Sequence, residues 1–274
     1  MPELPEVETI RRGLEQEISG RRIVVVTVAN LKLLKGQSEA EFRDRVVGKR
    51  VQGVDRRGKY LLIPLYADDS PTHSTTLCIH LKMRGSVRLQ TANSPVERYH
   101  GLSFGFENGD QLRYYDMWGW GEWRAVAASE QLALPSLGME PLAVGWNAEV
   151  LALPLAKTRS ARKFVLLNQA AIAGVGNIYA DEALFRARIG PTRPASELTA
   201  EEIGRLAKAL RMVLAEAVTL GGSQGDYVDI YGQFGRYVPQ VYDREGAPCP
   251  VCCAPLKKMK LGGRGTTFCP VCQN

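Results

Sequence analysis

Long hydrophobic runs are absent from this sequence of 274 residues, and their absence excludes one broad class of protein. No stretch reaches 18 consecutive apolar residues, the length at which a transmembrane helix is indicated. The charged start, which contains Glu3, Glu6 and Glu8, lacks the pattern of a secretory signal peptide. We therefore expect a soluble, intracellular protein with no membrane partner.

An excess of acidic residues is also lacking. The formal net charge is +6 and the isoelectric point is about 9.0, which favours a polyanionic partner without establishing one, because many basic enzymes bind no nucleic acid. With 45% hydrophobic residues, the chain can bury a substantial core and is long enough for two or more domains.

Cysteines are few, and their spacing argues against a disulfide framework. Four of the six form two pairs, Cys249 with Cys252 and Cys269 with Cys272, and sixteen residues separate the pairs. This spacing predicts a tetrahedral site for one structural zinc ion on two knuckles. A closed shell of four thiolates leaves no catalytic metal position, so the chemistry is expected elsewhere. The two remaining cysteines are interpreted as a buried strand residue, Cys78, and a spare thiol beside the zinc site, Cys253.

A proline follows the initiator methionine, and this arrangement can provide a nucleophile. Removal of Met1 leaves Pro2 with a secondary amine, and because an α-amino group titrates near 8, about a tenth of it is unprotonated at neutral pH. Such an amine forms Schiff bases readily. Glu3 adjoins it, and Pro5 is suited to the first position of a helix. An ordinary capped helix with an acidic first turn is the alternative interpretation.

The order of predicted elements indicates an α+β protein with several domains. Short β-branched segments between residues 22 and 127, separated by Gly, Asp, Asn or Pro, predict a β-sandwich or barrel. Helical patterns follow a linker rich in Pro and Gly, with Ser160 and Thr199 as candidate N-caps. We expect an N-terminal domain at 1–130, a linker at 131–146, a helical domain at 147–225, and a loop with the zinc finger at 226–274. The glycine-rich part of that loop is expected to be mobile.

Three further motifs are weak when each is taken alone. The basic turn 55–59 is typical of a solvated hairpin tip, and only a catalytic partner elsewhere would give Lys59 a role. The turn 174–176 presents backbone N–H groups to an anion, and Asn177 can add a donor, although such turns also serve helix packing. The basic segment 257–264 between the zinc knuckles suits a phosphate backbone.

In combination, these motifs resemble those of bacterial formamidopyrimidine-DNA glycosylases and their endonuclease VIII relatives. The resemblance rests on residues 1–9, 57–62, 174–182, 240–242 and 246 and on the zinc finger with Arg264, so it spans almost the whole chain. It implies a β-sandwich, a helix-two-turn-helix domain and a Cys₄ zinc finger. Double-stranded DNA with damaged bases or abasic sites is expected in the cleft between them. The resemblance further implies a monomer in the bacterial cytoplasm, associated with the nucleoid.

The resemblance also implies a reaction and its residues. Pro2 attacks C1′ of a flipped nucleotide, the damaged base departs, and elimination then breaks the strand. Flipping is required because C1′ is inaccessible in a stacked duplex. Glu3 is implied as the proton donor at the sugar, Lys59 as an aid to base loss and elimination, and Arg264 as an aid to the second elimination. The implied DNA contacts are His100, Met83, Trp120, Lys157, Arg159, Lys163, Asn177 and Arg264. His100 also fits a half-buried residue at a strand end.

One loop departs from the family pattern. Where the family has Asp-Pro-Arg-Arg-Phe-Gly, this chain has Asp-Met-Trp-Gly-Trp-Gly at 116–121, so Gly119 replaces the arginine that faces the orphaned base. Met83 matches the methionine that fills the void, and Trp120 replaces the wedge phenylalanine. Loss of the arginine removes about 1–3 kcal/mol of discrimination between opposite bases. The loop after Gly221 is also shorter than in members that excise 8-oxoguanine, so a preference for 8-oxoguanine opposite cytosine is doubtful.

Two functions fit the sequence. A bifunctional DNA glycosylase and AP lyase with altered lesion choice is favoured, because Pro2, Glu3 and Lys59 are all present. The alternative is a non-catalytic binder of damaged or abasic DNA.

Overall fold

The computed structural model describes residues 1–68, 70–156, 161–225 and 227–273, and the chain forms two compact units. The first unit comprises Met1–Ala133 and Gly225–Gly235, and the second comprises Leu134–Gln224 and Arg236–Asn274. Residues 147–224 of the predicted helical domain and the zinc finger therefore belong to the same unit. Within the described ranges, every helix is too short or too polar to cross a bilayer.

The first unit contains two helices and two antiparallel sheets. The helices are α1 (Leu4–Ile18) and α2 (Glu39–Val46). The strands are β1 (Ile23–Val28), β2 (Arg50–Val51), β3 (Asp55–Arg57), β4 (Tyr60–Ala67), β5 (Ser70–His80), β6 (Ser86–Thr91), β7 (His100–Phe106), β8 (Asp110–Tyr115) and β9 (Glu122–Ala127). One sheet has the order β1-β7-β8-β6, and the other has the order β2-β4-β5-β9, with β3 paired to β4.

Both sheets contribute to one hydrophobic core, which confirms the predicted sandwich. Alternate residues of β4, Leu61 and Ile63 among them, are buried on one face as a half-buried strand requires. Trp123 is fully buried, and its ring centre lies 5.4 Å from that of Phe104 in the other sheet. Apolar residues on one face of α1 join this core, so the helix is stabilised by packing against the sheets.

The structure corrects the basic turn predicted at 55–59. Strand β2 ends at Val51, residues 55–57 form β3, and only Gly58 and Lys59 make the turn. Lys59 is 4% exposed rather than solvated. The cause is a tertiary partner, because the Arg56 guanidinium pairs with Glu8 of α1 at 3.0 Å and draws the hairpin onto the helix.

The loop expected to be mobile is anchored where it belongs to the first unit. Ile230 is 1% exposed and part of the core, and its carbonyl oxygen accepts a hydrogen bond from Leu89 N at 2.9 Å. The Tyr231 hydroxyl donates to Glu17 at 2.8 Å. A single buried isoleucine in a glycine-rich stretch gave no periodic signal, so the sequence did not indicate this packing.

The second unit is helical with one hairpin. Its helices are α3 (Ala148–Ala156), α4 (Arg162–Leu167), α5 (Asn177–Ala187) and α6 (Ala200–Thr219), and its strands are β10 (Lys257–Leu261) and β11 (Arg264–Phe268). The predicted N-cap of α6 is confirmed and is part of a capping box. Thr199 Oγ1 accepts from Glu202 N at 3.2 Å, and Thr199 N donates to the Glu202 carboxylate at 2.9 Å. The predicted cap at Ser160 lies outside the described residues.

Candidate active site and DNA-binding elements

The N-terminal residues lie at the start of α1. Pro2 is buried and lines a cavity of about 300 Å³, and Glu3 is 3% exposed and occupies the N-cap of the helix. The Glu3 backbone N–H donates to the Glu6 carboxylate at 2.9 Å. The positive end of the helix dipole therefore lies beside Pro2.

A network of arginines fixes α1 against the β3–β4 hairpin. Burial alone would raise the pKa of Glu8, but hydrogen bonds from Arg11, Arg56 and Arg12 together lower it. Arg11 Nη1 also donates to the carbonyl oxygen of Val54 at 3.1 Å. These bonds attach the helix that begins next to Pro2 to the hairpin whose turn contains Lys59.

Lys59 lies near a buried histidine. His80 is 9% exposed, and its Nδ1 accepts from Lys82 N at 3.0 Å, so the ring proton of the neutral form is on Nε2. Burial lowers the pKa of His80 to about 4, and the positive charges of Lys82 and Lys59 add to the shift. The imidazole is therefore neutral at physiological pH. The sequence gave no signal for this residue beyond its place in a strand.

The side chains in the region of the predicted wedge are apolar and exposed. Met83 is 41% exposed, Trp118 is 42% exposed and Trp120 is 55% exposed. The two indole ring centres lie 4.7 Å apart. Gly119 between them has φ +64°, and a Cβ there would lie 2.7 Å from Asn30 Nδ2. The loop is therefore built around glycine at the position where the family has an arginine.

His100 is the first residue of β7 and is half-buried, with its ring centre 5.8 Å from that of Tyr115. Burial lowers its pKa, and Arg113 adds to the shift. Its Nε2 is buried without a hydrogen-bond partner among the described residues. This placement matches the strand-end interpretation of His100. Whether His100 also contacts DNA stays a prediction.

The four paired cysteines come together in the second unit. Their sulfur atoms all lie within 4.8 Å of one another, with 3.9 Å between Cys249 and Cys272 and 3.5 Å between Cys252 and Cys269. Four thiolates at a Zn–S distance of about 2.3 Å stand about 3.8 Å apart, so the cluster fits one tetrahedral zinc ion. The predicted structural zinc site is confirmed. Cys78 is buried on β5, and Cys253 is exposed beside the cluster.

Arg264 is exposed at the start of β11, and its neighbour Gly265 is held by two side chains from the helices. The Gly265 carbonyl oxygen accepts from Lys163 Nζ at 2.9 Å and from Asn177 Nδ2 at 3.1 Å. Asp181 Oδ2 accepts from Thr267 N at 3.0 Å. The zinc finger hairpin is thus docked on α5 near the predicted phosphate-binding arginine.

The predicted phosphate contact of Lys163 is corrected by its burial. The side chain is 1% exposed, and its ammonium group donates to Thr266 Oγ1 at 2.9 Å and lies 2.7 Å from the Asp181 carboxylate. These internal acceptors replace water, so the lysine positions the hairpin instead of meeting a phosphate. Sequence reasoning missed Asp181, although it lies four residues after Asn177 in the same motif. The other two predicted basic contacts, Lys157 and Arg159, lie outside the described residues.

A second acidic residue of α5 organises the chain that follows α6. The Glu182 carboxylate is buried and accepts from the Tyr237 hydroxyl at 3.1 Å and from the backbone N–H groups of residues 240–242 at 2.8–2.9 Å. Burial raises the pKa of Tyr237, and the charge of Glu182 adds to the shift. The sequence motif therefore contains two carboxylates whose role is to hold other segments in place.

Comparison with known proteins assigns the family. Residues 1–123 match the N-terminal domain of formamidopyrimidine-DNA glycosylase, residues 137–228 match its H2TH domain, and residues 246–274 match the zinc finger found in FPG and IleRS. A formamidopyrimidine-DNA glycosylase of Pelotomaculum thermopropionicum is 41% identical over 279 aligned positions, covering 100% of this chain and 99% of the relative. The Listeria innocua enzyme is 39% identical with both chains fully covered.

Solved structures agree with this assignment. The crystal structure of Lactococcus lactis Fpg with DNA containing an abasic site has a TM-score of 0.89 and 34% identity, covering 99% of each chain. A complex of the same enzyme with DNA containing an oxidised pyrimidine gives the same TM-score and identity. The chain therefore belongs to the formamidopyrimidine-DNA glycosylase family and is a bifunctional DNA glycosylase and AP lyase of base excision repair.

Proposed function

We propose that Pro2 is the nucleophile of this enzyme and that its lesion enters the cavity beside it. After removal of Met1, the Pro2 nitrogen forms a bond to C1′ of the flipped nucleotide, and the bond between C1′ and the base breaks. Protonation of the ring oxygen by Glu3 opens the sugar and yields an iminium ion. Loss of the C2′ proton then expels the 3′ phosphate, and a further elimination expels the 5′ phosphate.

The observation that carries this proposal is the placement of Pro2. It is buried at the start of α1, beside the N-cap Glu3, and it lines a cavity of about 300 Å³. Glu3 occupies the N-cap of α1 next to Pro2 in the chain, and we assign its carboxyl group to the role of acid. Lys59 is buried in the hairpin fixed to the same helix, and we assign it to assistance of base loss and elimination.

We further propose that Arg264 and Asn177 bind phosphates around the lesion, with Arg264 also acting in the second elimination. Arg264 is exposed on a hairpin held by internal hydrogen bonds, so its side chain is available to an anion. His100 is retained as a candidate DNA contact, as are Lys157 and Arg159. Complexes of Lactococcus lactis Fpg with abasic-site DNA support double-stranded DNA as the ligand. We place this activity in a monomer in the cytoplasm, associated with the nucleoid.

The wedge is proposed to consist of Met83, Trp118 and Trp120. Their exposed apolar side chains can fill the space that a flipped nucleotide vacates. Gly119 has no side chain with which to form hydrogen bonds to the orphaned base. Stacking on an aromatic ring tolerates every base, so the opposite base is read loosely.

Separate measurement of the two chemical steps tests the assignment of Glu3. Glu3→Gln removes the proton donor and keeps the size of the side chain. Base removal from a lesion-bearing duplex should fall by about a hundredfold or more, within the range that general acids contribute. Cleavage of a preformed abasic site should fall much less, because its sugar opens spontaneously to the aldehyde that the amine attacks. Glu39→Gln, on the exposed face of α2, is the control.

Equal loss in both steps would contradict the assignment, since it would indicate a fault in folding or DNA binding. Unchanged base removal by Glu3→Gln would remove Glu3 from the mechanism.

A further inference from the structure

Two arginines line the cavity that contains Pro2. Arg84 is exposed in the turn that carries Met83, and Arg88 lies on β6. A guanidinium group donates hydrogen bonds and accepts none, so a base in this cavity meets donors from both residues. Ser86 and Tyr227 also line the cavity, and the Tyr227 hydroxyl donates to the carbonyl oxygen of Met83 at 3.4 Å.

The protein holds Arg88 in a defined orientation. Its Nη1 donates to both carboxylate oxygens of Glu97, at 3.1 and 3.3 Å, and its guanidinium carbon lies 5.7 Å from the ring centre of Tyr115. Its Nε is buried and has no hydrogen-bond acceptor among the described residues. The Nη2 group takes part in neither of the bonds to Glu97, so it remains a donor for a carbonyl oxygen of a ligand.

We propose that Arg88, together with Arg84, selects damaged bases that present carbonyl oxygens over analogues that present an exocyclic amine. A carbonyl oxygen pairs with a guanidinium N–H, whereas an amine places donor against donor and leaves both unpaired. The inference rests on the proposed function, because it requires that the damaged base enters the cavity beside Pro2. It adds a pair of specificity-determining residues to that site.

A matched pair of lesions tests the proposal. Both 5-hydroxyuracil and 5-hydroxycytosine are oxidised pyrimidines. The first has a carbonyl oxygen at C4 and a proton on N3, whereas the second has an amine at C4 and no proton on N3. Values of kcat/KM for base removal are measured for both lesions in the same duplex at one salt concentration. The preference is the ratio of the two values, so a general change in DNA affinity cancels.

The wild-type enzyme should prefer 5-hydroxyuracil by about tenfold or more, in line with sites that hydrogen-bond their substrate. Arg88→Met should reduce this preference to about threefold or less, and Arg84→Met should reduce it in the same direction. Glu97→Gln, which weakens the support of Arg88 without removing it, should give an intermediate ratio. Arg43→Met, on the exposed side of α2, changes the net charge equally and should keep the wild-type ratio.

The proposal is overturned if the wild type shows no preference, or if both arginine variants keep the wild-type ratio. Equal loss of preference in Arg43→Met would also overturn it, by showing an effect of net charge alone. Failure of the proposed function has a different signature, which is the absence of a borohydride-trapped adduct between the wild-type enzyme and abasic DNA.

Discussion

The hydroxyl oxygen of Tyr114 lies 3.0 Å from Oδ2 of Asp116, and this buried pair supports both loops that we expect to enter DNA. The Asp116 carboxylate accepts from Gly121 N at 2.7 Å and from Trp118 N at 3.0 Å. These two bonds fix the loop 116–121, which carries both wedge tryptophans. The same hydroxyl lies 3.4 Å from the carbonyl oxygen of Leu81, where the turn that carries Met83 begins. Burial raises the pKa of Tyr114, and Asp116 adds to the shift, so the hydroxyl remains a donor at physiological pH.

Glycine is required on both sides of this pair. A Cβ at Gly85 or Gly121 would collide with the Tyr114 hydroxyl, so the phenol can reach both loops only because these residues lack a side chain. The two loops therefore share one rigid support. This relationship makes Tyr114 a positioning residue for the wedge.

Tyr114→Phe should loosen both loops at once. It removes the hydroxyl and leaves the Asp116 carboxylate with one partner fewer, at an expected cost of about 1–3 kcal/mol in the free energy of unfolding. Base removal should fall more than abasic-site cleavage, because flipping an intact nucleotide depends most on the wedge. Urea denaturation and single-turnover kinetics measure the two effects. Tyr115→Phe, which loses a 2.7 Å bond to Gln90 away from these loops, is the control. Equal kinetics in the two variants would contradict the positioning role.

Zinc should be structural. Cys269→Ser removes one of four thiolates, so DNA affinity and the melting temperature should fall together, since metal binding and folding of such a site are coupled. Abasic-site cleavage at saturating enzyme should be affected much less than affinity. Normal DNA binding after removal of the metal would show that the finger holds Arg264 without zinc.

The opposite base should matter little. One lesion is placed opposite each of the four bases, and the rates of its removal should agree within about fivefold, because Gly119 cannot supply the 1–3 kcal/mol of a bidentate reader. Trp120→Ala should lower all four rates together by removing the wedge. A strong preference for cytosine would require another reader of that base.

The Glu8 network should stabilise the first unit only above acidic pH. The folded-state pKa of Glu8 lies below its ordinary value of 4.5, so the contribution is full above that value and is lost as the pH falls through the folded pKa. Glu8→Gln should therefore reduce the free energy of unfolding near neutral pH, and the difference from wild type should shrink below about pH 4. Glu39→Gln, which loses only an exposed pair with Arg43, should show a small difference throughout. If the difference in free energy of unfolding between Glu8→Gln and wild type stayed constant below about pH 4, the charge of Glu8 would not be its source.

Local sequence patterns were sufficient to predict most helices and strands and the zinc site. Pro5 indicated the start of α1 and Thr199 that of α6, β-branched segments between turn residues predicted most strands, and cysteine spacing predicted the zinc cluster. Each of these signals depends only on neighbours in sequence. The burial of Lys59 and Lys163 was not predictable in this way. Each is set by partners on other elements, such as Asp181, whose contact with Lys163 appears only when α4 and α5 are packed.

The departures from local expectation fall at the proposed site. A glycine-rich segment with one buried residue, Ile230, was interpreted as a mobile loop, yet it packs on the core and contributes Tyr227 to the cavity beside Pro2. The cavity itself has no sequence signal, since its lining residues come from α1, β6 and this late segment. The role of Pro2 was inferred from chemistry and resemblance rather than from pattern.

A covalent adduct through Pro2 is the most direct test of the central claim. A secondary amine that attacks C1′ of an abasic site forms an iminium ion, and borohydride reduces this ion to a stable bond between protein and DNA. The enzyme with a native N-terminus should give this adduct, and peptide mapping should place it on Pro2. A protein with residues fused ahead of Pro2 should give none, because the amine has become an amide. Tight binding of abasic DNA without any adduct, or an adduct on another residue, would contradict the claim.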